Sequence, residues 1–297
     1  MRPSLAGWCF AGPAVAVIAL FFVVPVAAAL ALSLTDFDIY AIADPANLRL
    51  VGLHNYVQLL DTPLFWTALG NTLYFVVIGV PLSIAVSLGT ALLLESELAR
   101  LRNAFRTALF APVVTTVVAV AVVWRNLFQA RYGWIDYALG AIGIAPIDWL
   151  GDPRWSMPSI ILFAVWKNFG INMIIFVAAL QAIPRELYEA ARLEGAGAAQ
   201  QFWRVTLPLL GPTVLMVGVV TMAGYFQLFA EPYVMTQGGP LQSTVSVLYL
   251  MYEEGFKWWS LGLASAIAFT LFALMLACTA LLLRLARGRA AAGGGIP

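Results

Sequence analysis

The chain joins two long apolar runs through a polar segment that contains Glu189-Ala190-Ala191-Arg192-Leu193-Glu194-Gly195 and, after nine further residues, Val205-Thr206-Leu207-Pro208. Pro184 suits the first turn of a helix, and the acidic residues after it lie where the helix dipole favours negative charge. The Glu-Ala-Ala run has high helix propensity, and Gly195 permits the left-handed conformation that ends a helix. The segment therefore predicts a helix that ends at Gly195, a second short helix over Ala196–Val205, and a return into apolar sequence at Pro208.

The composition of the chain indicates a membrane protein. Of its 297 residues, 62% are hydrophobic and 10% are charged, and the mean hydropathy is +0.89. A soluble domain carries about 25% charged residues, so water is not the main solvent of this chain. A net charge of +1 does not indicate a basic surface that would bind nucleic acid. Cys9 and Cys278 lie in apolar runs and indicate neither a disulfide framework nor a metal site, and we expect no cofactor.

Six apolar segments are long enough to cross a bilayer, which takes about 20 residues in a helix. They are 8–32, 68–94, 107–129, 157–182, 209–231 and 260–283. We predict an all-α polytopic membrane protein with six transmembrane helices in a single domain over residues 1–297. The first segment could be a signal peptide, since Ala27-Ala28-Ala29 offers small residues. Its apolar run is longer than the roughly 7–15 residues of such a signal, which favours a retained span.

The distribution of basic residues predicts the orientation, because short cytoplasmic loops are enriched in lysine and arginine. With a cytoplasmic N-terminus, ten basic residues lie on the inner side and four on the outer side. Both termini and the polar loop 184–208 are then cytoplasmic, and the tail 290–297 is expected to be disordered. The inner residues are Arg2, Arg100, Arg102, Arg106, Arg185, Arg192, Arg204, Arg284, Arg287 and Arg289, and the outer ones are Arg49, Arg131, Arg154 and Lys257.

The polar loop resembles the cytoplasmic loop of the membrane-spanning subunits of binding-protein-dependent ABC importers. The shared pattern is E-A-A-x3-G-x9-V-x-L-P, and that family has isoleucine where this chain has Val205. Further blocks make the chain similar to the maltose-type sugar permeases and cover most of residues 50–265. These blocks are Gly52–Tyr56, Phe65-Trp66, Leu69–Leu73, Trp166–Asn168, Leu180–Tyr188 and Glu231–Pro240.

The resemblance implies a passive gate that partner subunits drive. Those partners are two ATP-binding subunits, a second homologous permease subunit in a heterodimer, and an extracytoplasmic solute-binding protein. Transport would be by alternating access across the bacterial inner (cytoplasmic) membrane. The chain has no G-x-x-x-x-G-K-[ST] phosphate loop, so we expect no catalytic activity of its own. The residues implied in coupling to the ATPase are Glu189, Ala190, Ala191, Arg192, Glu194, Gly195, Ala196, Leu207 and Pro208.

Polar side chains inside the predicted spans are candidates for the substrate path, because such groups are costly in a bilayer. Lys167, Asn168 and Asn172 lie mid-span, and the two asparagines share a helical face at a spacing of four. In the fifth span Gln227 and Glu231 have the same spacing, and Tyr225 offers a ring and a hydroxyl. These groups could bind the hydroxyls of a neutral sugar. They could instead bond across helices inside the bundle, which for Lys167 is the favoured interpretation.

The loop after the fifth span is the candidate docking site for the solute-binding protein. Its residues are Glu231, Thr236, Gly238, Gly239 and Pro240. Six tryptophans near the span ends are typical of interfacial anchors, with stacking on sugar as the alternative. They are Trp66, Trp134, Trp149, Trp155, Trp258 and Trp259.

The preferred function is uptake of a carbohydrate, with a disaccharide or oligosaccharide favoured by the resemblance. A glycerol phosphate ester stays open as the solute, although one intramembrane lysine weakly disfavours a phosphorylated substrate. A stand-alone secondary transporter is the competing class, and it would need intramembrane acids that the spans lack apart from Glu231. An intramembrane enzyme would need a catalytic cluster, and none is visible in the sequence.

Overall fold

The structure is a computed structural model that describes residues 5–96 and 101–293, and over these ranges the chain is helical, without a named strand. The all-α prediction is therefore confirmed for the described residues. The α-helices are α1 (Leu5–Ile18), α2 (Val24–Leu32), α3 (Ile39–Ala43), α4 (His54–Asp61), α5 (Pro63–Glu95), α6 (Arg102–Val114), α7 (Val117–Leu127), α8 (Trp134–Gly140), α9 (Pro153–Gln181), α10 (Arg185–Leu193), α11 (Ala198–Gln201), α12 (Leu207–Leu209), α13 (Gly211–Phe226), α14 (Ala230–Met235), α15 (Val247–Tyr252) and α16 (Leu261–Gly293). Single π-helical turns lie at Ala19–Val23, Phe202–Thr206 and Glu253–Lys257, and a 3₁₀ turn lies at Pro45–Asn47.

The chain divides into two compact units. One unit is Met1–Trp66 with Leu250–Ala273, and the other is Thr67–Tyr249 with Leu274–Pro297. The second unit contains the polar loop and every candidate site residue. A single membrane domain over residues 1–297 stays a prediction.

In the first unit, the loop after α2 is fastened to the helix that follows it. The side-chain amide of Asn55 donates to the carbonyl oxygens of Ser33 (2.9 Å) and Thr35 (2.8 Å). The Ser33 and Tyr56 hydroxyls are 2.8 Å apart, and the Gly262 N–H donates to the Phe37 carbonyl at 2.8 Å. These bonds satisfy backbone groups that would otherwise be buried without partners.

Four helical stretches are long and apolar enough to cross a membrane: Phe10–Leu32, Pro63–Glu95, Pro153–Gln181 and Leu261–Ala286. They correspond to the first, second, fourth and sixth predicted spans. Helix α16 continues to Gly293, since its alanine-rich end has high helix propensity. It therefore includes residues 290–293 of the tail expected to be disordered, and residues 294–297 lie outside the described residues.

The third predicted span, 107–129, is not one helix, and the prediction of a continuous helix was wrong. Helices α6 and α7 meet at an angle of 101°. Thr115 and Thr116 between them are extended, with ψ values of 152° and 134°. Pro112 lacks the N–H that would bond within α6, and Thr115 and Thr116, which are β-branched, favour extended backbone. Local backbone preference therefore overrides the apolar composition at this point.

The fifth predicted span, 209–231, begins near the predicted residue but is interrupted at Gln227, which the sequence did not predict. A bend of 65° separates the helical stretch Ala198–Leu209 from α13, which carries a proline at its start and ends at Phe226. Gln227 leaves the helical region with φ −89° and ψ 29°, and Phe229 has φ −146° before α14 begins. The described part of the chain thus has four continuous candidate spans, or six when each bent pair counts as one span.

A core within the second unit joins α5, α9 and α13. Its buried residues are Ala91, Leu94, Phe169, Met173, Phe176, Val177 and Val217. In lipid such helices associate through van der Waals packing and interhelical hydrogen bonds rather than through loss of water. Both kinds of contact occur here: Ser87 donates across to the Phe169 carbonyl at 3.0 Å. A Cβ atom on Gly170 would lie 2.7 Å from the Leu109 carbonyl oxygen, so only glycine lets α6 approach α9 this closely.

Candidate functional site: a polar loop, a cavity and an outer loop

The predicted helix of the polar loop is α10, Arg185–Leu193, and it ends as the sequence indicates. Gly195 has φ +81°, the left-handed conformation that glycine adopts at least cost. The Ala196 N–H donates to the Ala191 carbonyl at 2.8 Å, and the Gly195 N–H donates to the Arg192 carbonyl at 3.0 Å. This pair of bonds is the Schellman motif, which satisfies carbonyls that the helix end leaves open. The predicted helix and its glycine end are confirmed.

The second arm of the loop differs from the predicted helix Ala196–Val205. Gly197 is extended, with ψ 168°, so α11 begins only at Ala198 and a π-helical turn over Phe202–Thr206 follows it. Pro208 then lies within α12 rather than after a helix. The Tyr188 and Thr206 hydroxyls are 2.9 Å apart, and the Gln201 amide donates to the Ala196 carbonyl at 2.7 Å. These bonds hold the two arms together as a helix-turn-helix.

The outward side of α10 is apolar as well as charged. Leu193 is 91% exposed and Leu187 is 43% exposed, while Ala190 and Arg192 are also exposed. A leucine that is almost fully exposed at a helix end gains little stability from burial in its own chain. Leu187, Ala190 and Leu193, which we call the α10 surface, are all exposed on the described chain.

The substrate-path candidates converge on two cavities between α5, α9, α13 and the segment after α13. One cavity has a volume of about 260 Å³ and the other about 360 Å³. They share four lining residues: Asn168, Gly224, Gln227 and Glu231. Lys167 lines the larger cavity, whereas Asn172, Thr221 and Tyr225 line the smaller one. The structure thus brings together all five residues predicted for the path.

The two asparagines of α9 lie on one face, as their spacing predicts, and have different partners. The Asn172 amide is buried and donates to the Thr221 hydroxyl on α13 at 2.9 Å. The Asn168 amide donates to the Ala164 carbonyl of its own helix at 2.9 Å. Since an amide also has an acceptor oxygen, both side chains keep hydrogen-bonding capacity at the cavity.

Aromatic surface lies beside these amides. The rings of Tyr225 and Phe75 stack with centroids 4.9 Å apart and an interplanar angle of 28°. A Cβ on Gly79 would lie 2.6 Å from the Tyr225 ring, so a glycine makes room for that ring in α5. The buried Tyr225 hydroxyl is near Ser83, but neither oxygen has a well-formed hydrogen bond within the described residues.

Lys167 is buried, with 7% of its surface exposed, and its ammonium group donates to the Val113 carbonyl at 3.1 Å. In a continuous helix that carbonyl would accept from the N–H of residue 117, and the break between α6 and α7 removes this donor. The lysine thus satisfies a backbone group that the break leaves open. It lines the larger cavity together with Glu231.

Gln227 and Glu231 do not share a helical face, and that part of the prediction was wrong. Gln227 is the residue at which α13 ends, and Glu231 belongs to α14. Both line the two cavities, and the non-helical residues 227–229 lie between the two helices that carry them. Their common location thus depends on the break in the helix rather than on helical spacing.

The docking candidates in the loop after the fifth predicted span are mostly held inside that loop. Gly238 is buried with φ +81°, and a Cβ there would lie 2.9 Å from Val245. The Thr236 and Thr244 hydroxyls are 2.7 Å apart, and the Gly239–Pro240 peptide bond is cis. The next residue, Leu241, is 89% exposed.

The base of this loop is fastened to two long helices of the same unit. The Asn71 amide on α5 donates to the carbonyls of Gln242 and Val245, each at 2.9 Å. The Ser156 and Ser243 hydroxyls are 2.8 Å apart. The loop therefore presents Leu241 from a rigid base.

A family model described as "Binding-protein-dependent transport system inner membrane component" matches residues 87–290, which include the polar loop and all the lining residues of the two cavities except Phe75. The chain belongs to this family. The resemblance seen in the sequence is thus confirmed, and the chain is a permease component of a transport system with several membrane-crossing helices.

Relatives within this family include permeases named for carbohydrates. The lactose transport system permease protein of Rhizobium radiobacter is 37% identical over 84% of this chain and 83% of its own length. The sulfoquinovosyl glycerol transport system permease protein of Agrobacterium fabrum is 32% identical over 93% of this chain and 88% of its own length. A chain of a bacterial alginate ABC transporter, solved in complex with an alginate pentasaccharide-bound periplasmic protein, shares the fold with a TM-score of 0.80 at 21% identity, over 94% of this chain and 93% of that chain.

Several residues at the cavities and in the loop after the fifth predicted span were not identified as site residues from the sequence. Thr221, Phe75 and Val113 are ordinary span residues by pattern, and only contacts between helices reveal them. Leu241 directly follows the Gly-Gly-Pro stretch, so its exposure could have been inferred from the turn residues beside it. The described residues hold no group of three His, Cys, Asp or Glu side chains placed to bind a metal ion.

Proposed function

We propose that this permease component carries a carbohydrate, preferably a disaccharide or oligosaccharide, across the bacterial inner membrane by alternating access. The observation that supports this most directly is the pair of cavities, where three amides and a threonine hydroxyl lie beside stacked aromatic rings. Amides bind sugar hydroxyls, and aromatic faces cover the apolar side of a sugar ring. The names of the lactose and sulfoquinovosyl glycerol relatives support a carbohydrate rather than another polar solute.

The proposed arrangement has six spans, two of them bent, with both termini in the cytoplasm. The arginine excess on one side supports this orientation. It places α10 and the rest of the polar loop on the cytoplasmic side, between the fourth and fifth spans. Because α9 enters this loop and α13 leaves it, movement of the loop would reach both helices that carry the cavity asparagines and threonine.

The proposed partners of the α10 surface are two ATP-binding subunits, one for this chain and one for a homologous permease subunit. Leu193, Ala190 and Leu187 offer the apolar contact, while Glu189, Arg192 and Glu194 set its register through charge. The exposed fraction of Leu193, 91%, supports a contact with a separate chain. The permease itself would hydrolyse no ATP.

The proposed partner of the outer loop is an extracytoplasmic solute-binding protein. The rigid base of that loop supports docking, since little order is lost on binding when a loop is already fixed. Glu231, Thr236, Gly238, Gly239 and Pro240 then shape the loop or the cavity beneath it. Leu241 at the tip is the residue that would enter the partner.

The experiment that tests this function is uptake by the reconstituted transporter. The chain is co-expressed with its permease, ATP-binding and solute-binding partners and placed in liposomes that contain ATP. We expect uptake of a labelled disaccharide or oligosaccharide that stops when ATP or the solute-binding protein is omitted. Uptake by this chain alone, or uptake of a glycerol phosphate ester and of no sugar, would contradict the proposal.

A Leu241→Asp variant tests the docking role separately. We expect a higher half-saturating concentration of solute-binding protein for stimulation of ATPase activity, with basal ATPase activity unchanged. The matched control is Leu50→Asp, a leucine that is 81% exposed in another loop. An equal effect of both changes would contradict the assignment to Leu241.

A further inference from the structure

The two cavities contain one charge of each sign. Lys167 and Glu231 are the charged side chains among the described residues that line them. The other polar lining groups, which are Asn168, Asn172, Thr221 and Gln227, carry no formal charge. Both charges line the same cavity of about 360 Å³.

Each of the two charges is positioned at the cavity by a defined feature of the fold. Lys167 is buried in α9, and its bond to the Val113 carbonyl fixes the ammonium group at the break between α6 and α7. An ammonium group has three N–H donors, so two donors remain besides the one that bonds to Val113. Glu231 reaches the same cavity because α13 ends at Phe226 and α14 restarts the chain in a new direction.

We propose that Lys167 and Glu231 determine specificity, and that their opposite charges make the cavity select uncharged carbohydrate over carbohydrate that carries a carboxylate or sulfonate. This inference rests on the proposed function and names the substrate class within it. An uncharged sugar can donate hydroxyl protons to the carboxylate and accept from the ammonium group. An anionic sugar would lose the hydration of its charged group on entering the cavity. The cavity has no net positive charge to compensate that loss, which disfavours the anion in a low-dielectric site.

The charge of the cavity can be measured without knowing the natural sugar. A Val117→Cys reporter, whose side chain lines the larger cavity, is placed in the assembled transporter after Cys9→Ser and Cys278→Ser changes. Its rate of reaction is measured with an anionic methanethiosulfonate (sulfonatoethyl) and with a neutral one (hydroxyethyl). The ratio of the two rates reports the electrostatic potential at the reporter.

We expect Glu231→Gln to raise the anionic-to-neutral ratio about tenfold, because a unit charge about 10 Å away in a medium of intermediate dielectric has an effect of this size. Lys167→Gln should lower the ratio. The matched control is Glu254→Gln, since this carboxyl group lines neither cavity. A ratio in Glu231→Gln within twofold of the parent would overturn the proposal.

Protection of the same reporter by sugar tests the selectivity itself. We expect millimolar lactose to slow labelling of the parent more than lactobionate does, and we expect the order to reverse in Glu231→Gln. Protection of the parent by lactobionate that equals or exceeds protection by lactose would contradict the proposal. Uptake assays distinguish the two proposals. If sugar is taken up but the anionic-to-neutral labelling ratio does not change in the variants, only the role of Lys167 and Glu231 in specificity is refuted. If the ratio changes but no sugar is taken up, only the carbohydrate function is refuted.

Discussion

The α10 helix and the cavities are held by different kinds of contact. Helix α10 is fixed by bonds between residues close in sequence, such as Ala196 to Ala191, and its leucines are exposed. The cavities are fixed by bonds between distant residues, such as Asn172 with Thr221 and Lys167 with Val113. A side chain on α10 can therefore change without loss of fold, whereas a change at the cavity alters packing as well as chemistry.

The largest effect that follows from this difference is expected on the α10 surface. Leu193→Glu should weaken assembly with the ATP-binding subunit by about 2 kcal/mol, or roughly 30-fold, as for a residue at the centre of an interface. The stability of the isolated chain should change by less than about 0.5 kcal/mol, because the side chain is exposed. Pull-down of the ATP-binding subunit and a thermal melt of the purified chain measure the two quantities.

Leu50→Glu is the control for that change, since Leu50 is also highly exposed, at 81%, and lies in the first predicted outer loop. Assembly should be unaffected by it. Equal loss of assembly in both variants would contradict the proposal that the α10 surface binds the ATP-binding subunit.

The next effect concerns the close approach of α6 to α9. Gly170→Ala should destabilise the chain by about 1–3 kcal/mol, the range for overpacking, since the added Cβ would meet the Leu109 carbonyl oxygen at 2.7 Å. Gly89→Ala is the matched control, because a Cβ there meets no atom within 4 Å. Unfolding in detergent, followed by loss of helical circular dichroism, measures both. If the two variants unfold alike, the close approach is absent.

A smaller effect is expected at the end of α10. Gly195→Ala places a Cβ on a backbone with φ +81° and should cost about 1–2 kcal/mol locally. Gly197→Ala adds the same atom where φ is −71°, so it should cost little. Hydrogen exchange of the α10 amides measures the local opening. Faster exchange in Gly197→Ala than in Gly195→Ala would show that the left-handed end does not stabilise the loop.

The smallest effect is the coupling between Asn172 and Thr221. A double-mutant cycle with Asn172→Leu and Thr221→Val should give an interaction of about 0.6 kcal/mol and at most about 1.7, the range for hydrogen bonds between membrane helices. The same cycle should show non-additive losses in sugar uptake. Additive effects on unfolding would mean that the 2.9 Å contact adds no stability.

The elements that could be predicted from sequence are those whose cause is local or compositional. The long apolar helices α5, α9 and α16 follow from runs of apolar residues, and the α10 end follows from Gly195. The breaks at Thr115 and at Gln227 could not be placed, because apolar residues lie on both sides of each. The asparagines were found because polar residues are rare in spans, but their partner Thr221 gives no such signal.

The sequence by itself determined the family, the all-α architecture and the helix-turn of the polar loop, since each depends on residue spacing, composition or a backbone preference within one turn of helix. Only the tertiary structure decided the cavities. Glu231 lines the same cavity as Lys167 after the turn at Gln227, and Lys167 bonds to Val113 across 54 positions of chain. Such meetings depend on how separate helices bend and pack, and no short stretch of sequence contains that information.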